Sequence, residues 1–195
     1  MNNFFLESDL NEIISNLKEE IDLLSGKTIL LTGGRGFLGR YFTIVFDKIN
    51  REYLQGSLKV VVLDNLITAG EEGKIIPYYK NIYFKNHNVI EPIEIEDSID
   101  YIIHAAGIAS PHYYRAYPLE TLDVSIIGTK NFLELARKKN SKFVFFSSSE
   151  IYGDPDPLKL PIKEDYRGSV SCQGPRACYD ESKRVGETLC YIYKN

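Results

Sequence analysis

Short apolar runs that alternate with helical stretches predict an α/β fold built on a doubly wound parallel sheet of about five strands. The runs occupy 27–34, 58–65, 81–86, 100–107 and 141–149. Helical stretches separate several of them, most clearly from Pro118 to Lys139. Strands that alternate with helices pair in parallel through right-handed crossovers. Because the runs are continuously apolar, we expect both faces of the sheet to be covered.

The composition is that of a globular domain without a polyanionic partner. Among 195 residues, 44% are hydrophobic and 26% charged, and the formal net charge is −4. No basic run stands out, so nucleic acid and membrane surfaces are poor candidate partners. The apolar runs are too short to span a bilayer, and the acidic start MNNFFLESDLNE does not resemble a secretory signal. The 3 cysteines and 3 histidines favour neither disulfides nor a metal site, so we expect a reduced, cytoplasmic protein.

An amphipathic helix is expected over residues 9–24. One stripe at a period of 3.6 residues contains Leu10, Ile13, Ile14, Leu17, Ile21 and Leu24. Asp9 and Glu12 resemble a capping box, and Gly26 stands where a helix stop is expected. The polar face carries no recognisable chemistry, so the pattern indicates a helix that packs on the surface of a domain.

The remaining organisation follows from composition. We expect an N-terminal helical extension over 1–26 and one nucleotide-binding domain over 27–195. The stretch from Gly153 to Pro175 is rich in Pro, Gly, Asp and Ser, which predicts a long loop, and such loops are commonly functional. A last helix is predicted from about Tyr179 to Tyr193.

Three glycines follow the first strand at a spacing that suits a phosphate. Gly33, Gly36 and Gly39 lie in TGGRGFLG, where they allow a tight turn, a close backbone approach to a pyrophosphate and close helix–strand packing. The helix that follows directs free N–H groups at the ligand. Asp64 ends the next strand, where a carboxylate accepts from ribose hydroxyls and repels a 2′-phosphate, so NAD is favoured over NADP. The alternative for Asp64 is an ordinary turn residue.

A second group of polar residues follows the fifth strand. Tyr179 and Lys183 are four apart in a helical stretch and therefore share one face. A lysine cation favours the phenolate, which can then take a proton from a hydroxyl while hydride leaves for a nicotinamide. The strand ends in three serines at 147–149, followed by Glu150. Because the chain has 14 tyrosines, a structural tyrosine beside turn serines is the alternative.

Together these pieces resemble the extended short-chain dehydrogenase/reductases of the NAD-dependent epimerase/dehydratase family, which act on nucleotide sugars. The resemblance rests mainly on SSSEIYGDP at 147–155 and GPRACYDESKRVGETLCY at 174–191. HAAGIASP at 104–111 and IGTKNFLELAR at 127–137 also fit. Within the family, both main stretches are most similar to the UDP-glucuronate decarboxylase branch.

The resemblance implies roles for five residues. Tyr179 would be the catalytic base, and Lys183 its partner and a contact of the nicotinamide ribose. Ser148 would donate to or accept from the sugar 4-hydroxyl, and Glu150 matches the catalytic glutamate. Ser149 takes the place of the aspartate that is the general acid in 4,6-dehydratases, which disfavours elimination of water.

The resemblance also implies binding residues. The cofactor contacts would be Gly33, Gly36, Phe37, Leu38, Gly39, Asp64, Asn65, Asn88, Val89, Ala105, Ala106, Gly107, Tyr179 and Lys183. A UDP-sugar would contact Ser110, Pro111, Glu150 and Arg176. Asn88 replaces the aspartate that usually contacts adenine, but its amide oxygen can still accept a hydrogen bond. A homodimer would form through a four-helix bundle of the Lys130 and Tyr179 helices.

The implied reaction is decarboxylation of UDP-glucuronate to UDP-xylose, in which NAD oxidises carbon 4, the β-keto acid loses carbon dioxide and NADH reduces the ketone. Two alternatives remain. A nucleotide-sugar 4-epimerase or 4,6-dehydratase shares the glycines, the tyrosine and the lysine. A non-catalytic NAD-binding module is the other, because family members continue beyond this point into a region that forms most of the uridine and sugar pocket, which this chain lacks.

Overall fold

A computed structural model, which describes residues 6–194, contains one parallel sheet in the order β3-β2-β1-β4-β5. The strands are β1 (Thr28–Thr32), β2 (Lys59–Asp64), β3 (Ile82–Asn86), β4 (Tyr101–His104) and β5 (Lys142–Phe145). The predicted fold class and all five strands are confirmed. The chain winds outward in one direction from β1 to β3 and in the other from β4 to β5. A crevice therefore opens beyond the carboxyl ends of β1 and β4, where the direction reverses.

Seven α-helices lie in the described part of the chain: α1 (Glu7–Asn16), α2 (Phe37–Glu52), α3 (Gly70–Lys74), α4 (Pro111–Ala116), α5 (Pro118–Asp123), α6 (Thr129–Lys139) and α7 (Ala177–Lys194). A π-helical turn at Val124–Gly128 joins α5 to α6, so the helical stretch predicted from Pro118 is confirmed. The predicted last helix corresponds to α7. None of these helices is long and apolar enough to cross a membrane.

The core lies on both faces of the central strands, and alternate residues of β1 enter its two halves. Ile29 and Leu31 pack with α1 and α2 residues such as Val45 and Ile49. Leu30 faces the other way and packs with residues that include Phe132 of α6. This two-sided burial fixes the strand ends that line the crevice.

The outer strands depart from the expected two-sided coverage. All five residues of β1 are buried, but β3 and β5 contain only partly buried and exposed positions. Tyr83 is 52% exposed and Val144 is 47% exposed. The expectation that both faces are covered is therefore wrong for the edges, because helices pack over the middle of the sheet.

The N-terminal helix is shorter than the sequence predicted. It ends at Asn16, where the Leu17 amide donates to the carbonyl oxygens of Ile13 and Ile14, and a 3₁₀ turn follows at Ile21–Leu24. Leu17 is 38% exposed, so the stripe is interrupted. A single helix over 9–24 is therefore wrong.

The predicted capping box is also wrong. The helix begins at Glu7, which places Asp9 inside its first turn. Asp9 instead accepts a hydrogen bond from the Tyr41 hydroxyl of α2 at 3.1 Å. Of the extension predicted over 1–26, residues 1–5 lie outside the described residues, as does Asn195 of the predicted domain.

Shortening a buried side chain of α1 tests whether the extension belongs to the folded core. Ile14 is 4% exposed and packs in the same cluster as α2 and β1. Ile14→Ala is expected to lower the free energy of unfolding by about 2 to 4 kcal/mol, because it leaves a cavity. The control Leu23→Ala, at a position 65% exposed, should change it by less than about 0.5 kcal/mol. Chemical denaturation measures both, and equal small losses would contradict the packing of α1.

Candidate functional site

The glycine turn lies in close contact with the loop that follows β4. Gly33 has φ +70°, and a Cβ there would lie 2.7 Å from the Ala106 Cα. A Cβ on Gly39 would lie 2.2 Å from the Gly33 carbonyl oxygen. Side chains are therefore excluded at both positions. Helix α2 begins directly after Gly36, so its free N–H groups and positive dipole end face the crevice.

A cleft of about 330 Å³ occupies this crevice. Twelve residues predicted to contact the cofactor line it: Gly33, Gly36, Phe37, Leu38, Gly39, Asp64, Asn65, Asn88, Val89, Ala105, Ala106 and Gly107. Its lining also includes Ile67, Thr68, His87, Glu120, Val124 and Phe146, which the motifs did not reveal. These residues come from strand ends and from the loops after them, so their convergence depends on the fold.

The carboxylate of Asp64 shapes one end of the cleft. Its Oδ2 accepts from the Arg35 amide at 2.8 Å, and its Oδ1 accepts from the Leu66 amide at 2.7 Å. An ionised carboxylate has about four acceptor positions, so two remain for ribose hydroxyls. The glycine cradle and this acceptor fit the pyrophosphate and adenosine ribose of NAD, and the negative charge disfavours a 2′-phosphate.

A buried polar network supports the loop after β4. Thr32 Oγ1 lies 2.8 Å from His104 Nδ1 and accepts a hydrogen bond from the Ala106 amide at 3.1 Å. Burial, together with the positive charge of Lys183, lowers the pKa of His104 to about 3. His104 is therefore neutral near neutral pH and acts as a core residue that fixes the cleft wall.

Lys183 lies behind the cleft wall, against Gly107 and Phe146, and neither Lys183 nor Tyr179 is among the residues that line the cleft. Lys183 is 4% exposed, and its Nζ donates to the Phe146 carbonyl oxygen at 2.7 Å. The same Nζ is 5.9 Å from the centre of the Tyr179 ring. Burial lowers the pKa of Lys183 to about 8. Tyr179 and Lys183 therefore bring a hydroxyl and an ammonium group together on one face of α7.

Tyr114 is a site residue that the sequence did not reveal. It belongs to α4, is 2% exposed, and its ring stacks on that of Tyr179 with centroids 5.6 Å apart and planes inclined by 15°. The contact restricts rotation of the Tyr179 ring. No local pattern distinguished Tyr114 from its neighbours, because α4 is short. The predicted substrate residues Ser110 and Pro111 begin the same helix.

The polar residues after β5 have distinct partners. Ser148 Oγ accepts from the Glu150 amide at 3.3 Å, and Ser149 begins the 3₁₀ turn Ser149–Tyr152. Ser147 donates to Glu187 of α7 at 2.5 Å. The serines therefore support the strand end in different ways.

An ion pair joins Glu150 to the start of α7. Arg176 contacts the Glu150 carboxylate, and its Nε lies 3.6 Å from Asp180 Oδ2. Burial raises the pKa of Asp180, and the negative charge of Glu150 adds to the effect. The arrangement brings Glu150 and Arg176 to the helix that carries Tyr179.

The glycine turn predicts that two nearby substitutions both weaken NAD binding but differ in their effect on stability. A methyl at Gly36 would lie 3.4 Å from the Gly33 carbonyl oxygen, an ordinary contact, yet it would project where a pyrophosphate approaches. Gly36→Ala is expected to keep the unfolding midpoint while NAD affinity falls by about tenfold or more. Gly39→Ala should lower both, because the turn itself must shift. Calorimetric titration and thermal unfolding separate the two, and undiminished NAD affinity in Gly36→Ala would contradict the cradle.

Burial of Lys183 predicts a dependence of stability on pH. Its folded pKa is about 8, against 10.5 for the free side chain. Between these values the unfolded chain keeps a proton that the folded chain has released, so stability rises with pH. In this window, the difference in free energy of unfolding between wild type and Lys183→Met should rise by at most about 1.4 kcal/mol per pH unit. Urea unfolding from about pH 7.5 to about pH 9.5 measures the difference. Lys130→Met, at an exposed position, is the control, and a constant difference for Lys183→Met would contradict the lowered pKa.

Comparison with known proteins agrees with this geometry. The family model described as "NAD dependent epimerase/dehydratase family" matches residues 29–195. UDP-glucuronic acid decarboxylase 1 of Danio rerio is 43% identical over 169 residues, which cover 86% of this chain and 38% of the relative. The Xenopus tropicalis protein of the same name is 38% identical, covering 96% of this chain and 46% of its own length. The chain thus spans less than half the length of these curated relatives.

Solved structures show the same fold. An epimerase from Methanothermobacter thermautotrophicus superposes with a TM-score of 0.72 at 26% identity and covers 93% of this chain and 52% of its own. The Thermus thermophilus UDP-glucose 4-epimerase complex with NAD gives a TM-score of 0.61 at 27% identity, with coverage of 85% and 50%. By its glycine turn, its Tyr179–Lys183 pair and the family model that covers most of its length, the chain belongs to the NAD-dependent epimerase/dehydratase family.

Proposed function

We propose that this chain carries the NAD site and the catalytic residues of a nucleotide-sugar decarboxylase that converts UDP-glucuronate to UDP-xylose. The observation that carries the proposal is the Glu150–Arg176 ion pair at the start of α7. It brings a carboxylate and a guanidinium to the helix that presents Tyr179 and Lys183. The relatives named UDP-glucuronic acid decarboxylase support the same reaction.

The chain's own residues account for the proton transfers. Tyr179, next to the Lys183 cation, takes the proton of the sugar 4-hydroxyl, and Ser148 orients that hydroxyl. NAD, when bound, supplies the hydride acceptor. Oxidation at carbon 4 makes the substrate a β-keto acid, whose carboxylate leaves as carbon dioxide because the neighbouring ketone accepts the electron pair. A proton from water then adds at carbon 5 and restores the ketone, and Tyr179 returns its own proton to the carbon-4 oxygen as that ketone is reduced.

Glu150 and Ser149 separate this reaction from its family alternatives. A 4,6-dehydratase needs an acid to expel water, and Ser149 stands in that position with a hydroxyl that is a poor acid. A 4-epimerase is the second candidate, supported by the structural likeness to the Methanothermobacter epimerase. Epimerisation requires no carboxylate at 150, whereas Glu150 is ion-paired here.

A product assay tests the proposal. We would assay the chain as it stands and joined after Asn195 to the C-terminal half of the Danio rerio relative. With NAD and UDP-glucuronate, the joined protein is expected to release carbon dioxide and form UDP-xylose, measured by mass spectrometry. Tyr179→Phe and Glu150→Gln should each lower the rate by about 10²-fold or more, as loss of a general acid or base does. Glu164→Gln, in the exposed loop, is the matched control.

The outcomes discriminate between the alternatives. The 4-epimer of the substrate without carbon dioxide would establish the epimerase. NAD binding without turnover in the joined protein would favour a non-catalytic module. Full decarboxylase activity in Glu150→Gln would contradict the role of the carboxylate.

We also propose that two copies associate through the helices that contain Lys130 and Tyr179. Exposed apolar side chains on these segments support the pairing. Tyr191 of α7 is 69% exposed, and Ile127, just before α6, is 43% exposed. Burial of such residues is a common source of dimer stability.

A further inference from the structure

We propose that Arg35 is a positioning residue for the adenosine half of NAD, because it ties the glycine turn to the segment 65–75 that walls this end of the cleft. The inference deepens the proposed function and rests on NAD binding in this cleft. Arg35 lies within the turn and is 5% exposed. Its Nε donates to the Gly73 carbonyl oxygen at 2.9 Å, and a terminal nitrogen donates to the Ile75 carbonyl oxygen.

The segment that Arg35 binds has little else to hold it. Across residues 65–78, Gly73 alone is buried and apolar residues such as Leu66 are at most partly buried, so this stretch adds no fully buried apolar side chain to the core. Gly73 is buried because it lies against the turn, where a Cβ would be 2.6 Å from the Arg35 carbonyl oxygen. Hydrogen bonds from Arg35 therefore replace the hydrophobic packing that usually fixes a loop.

The same segment lines the cleft and contains a strained residue. Ile67 and Thr68 belong to the cleft wall, directly before α3. Leu66 has φ +64°, a conformation that non-glycine residues adopt only when their surroundings enforce it. Asp64 bonds the Leu66 amide at one end, and Arg35 fixes Gly73 and Ile75 at the other. The clamp thus keeps the wall beside Asp64 in the shape that ribose binding needs.

Burial of the Arg35 guanidinium costs free energy of folding, which a purely structural role does not explain. The guanidinium donates to two neutral carbonyl oxygens rather than to a carboxylate, and its burial together with the nearby charge of Arg40 lowers the pKa of Arg35. Taking a cation out of water costs free energy that two neutral acceptors and the charge of Asp64 offset only in part. Stability and cofactor affinity should therefore respond differently to its removal.

Arg35→Met tests the proposal, because it keeps most of the apolar stem and removes the donors. In this chain we expect an unchanged or higher urea midpoint and a Kd for NAD raised by about tenfold, as loss of two charge-assisted hydrogen bonds implies. Affinity for ADP-ribose should fall equally, while nicotinamide mononucleotide should bind as in wild type. Gly73→Ala, which pushes the segment off the turn, should also raise the Kd for NAD. The matched control Glu72→Gln loses only the exposed ion pair with Arg40 and should change the Kd by less than about twofold.

Each other outcome is decisive. Wild-type NAD affinity in Arg35→Met overturns the clamp and leaves the NAD site intact. Equal losses for ADP-ribose and nicotinamide mononucleotide, together with a lower urea midpoint, show a structural residue only. A wild-type chain that binds neither NAD nor ADP-ribose overturns the cofactor site and this inference together.

Discussion

The close approach of two backbone segments is the constraint on which the rest of the site depends. The turn after β1 and the loop after β4 meet at Gly33 and Ala106, where a single methyl would be 2.7 Å from the opposing Cα. The Thr32–His104 hydrogen bond, at 2.8 Å, lies directly beneath. Because both contacts join neighbouring strands at the point where the sheet changes direction, they fix the width of the cleft before any ligand binds.

A second close approach places the catalytic helix. A Cβ on Gly186 would lie 2.3 Å from the ring of Phe145, so glycine allows α7 to lie directly against β5. That contact lets Lys183, one turn earlier, reach the Phe146 carbonyl oxygen. The low-dielectric position that results lowers the pKa of Lys183 and strengthens its field at Tyr179. Packing and proton chemistry at this site are therefore parts of one arrangement.

The sequence predicted the features whose causes are local. Short stretches of sequence were enough to recognise the glycine spacing after an apolar run, Asp64 at a strand end and Tyr179 four residues before Lys183. Twelve of the predicted cofactor residues line one cleft. Tertiary contacts decided the rest. Leu17 lies outside the helical stripe because α1 ends before it, at Asn16. Tyr114 matters only through stacking on the distant ring of Tyr179. Arg35 gave no signal, since its partners are backbone carbonyls about forty residues away.

The two halves of the site differ in how they are organised. Backbone and strand ends shape the cofactor cleft, so it needs little rearrangement to bind a dinucleotide. On the sugar side, Glu150 and Arg176 are partly exposed and pair with each other. A substrate carboxylate would compete with Glu150 for that guanidinium, because both are anions of similar geometry. Under the proposed function, a substrate carboxylate that binds Arg176 would free Glu150 from this ion pair.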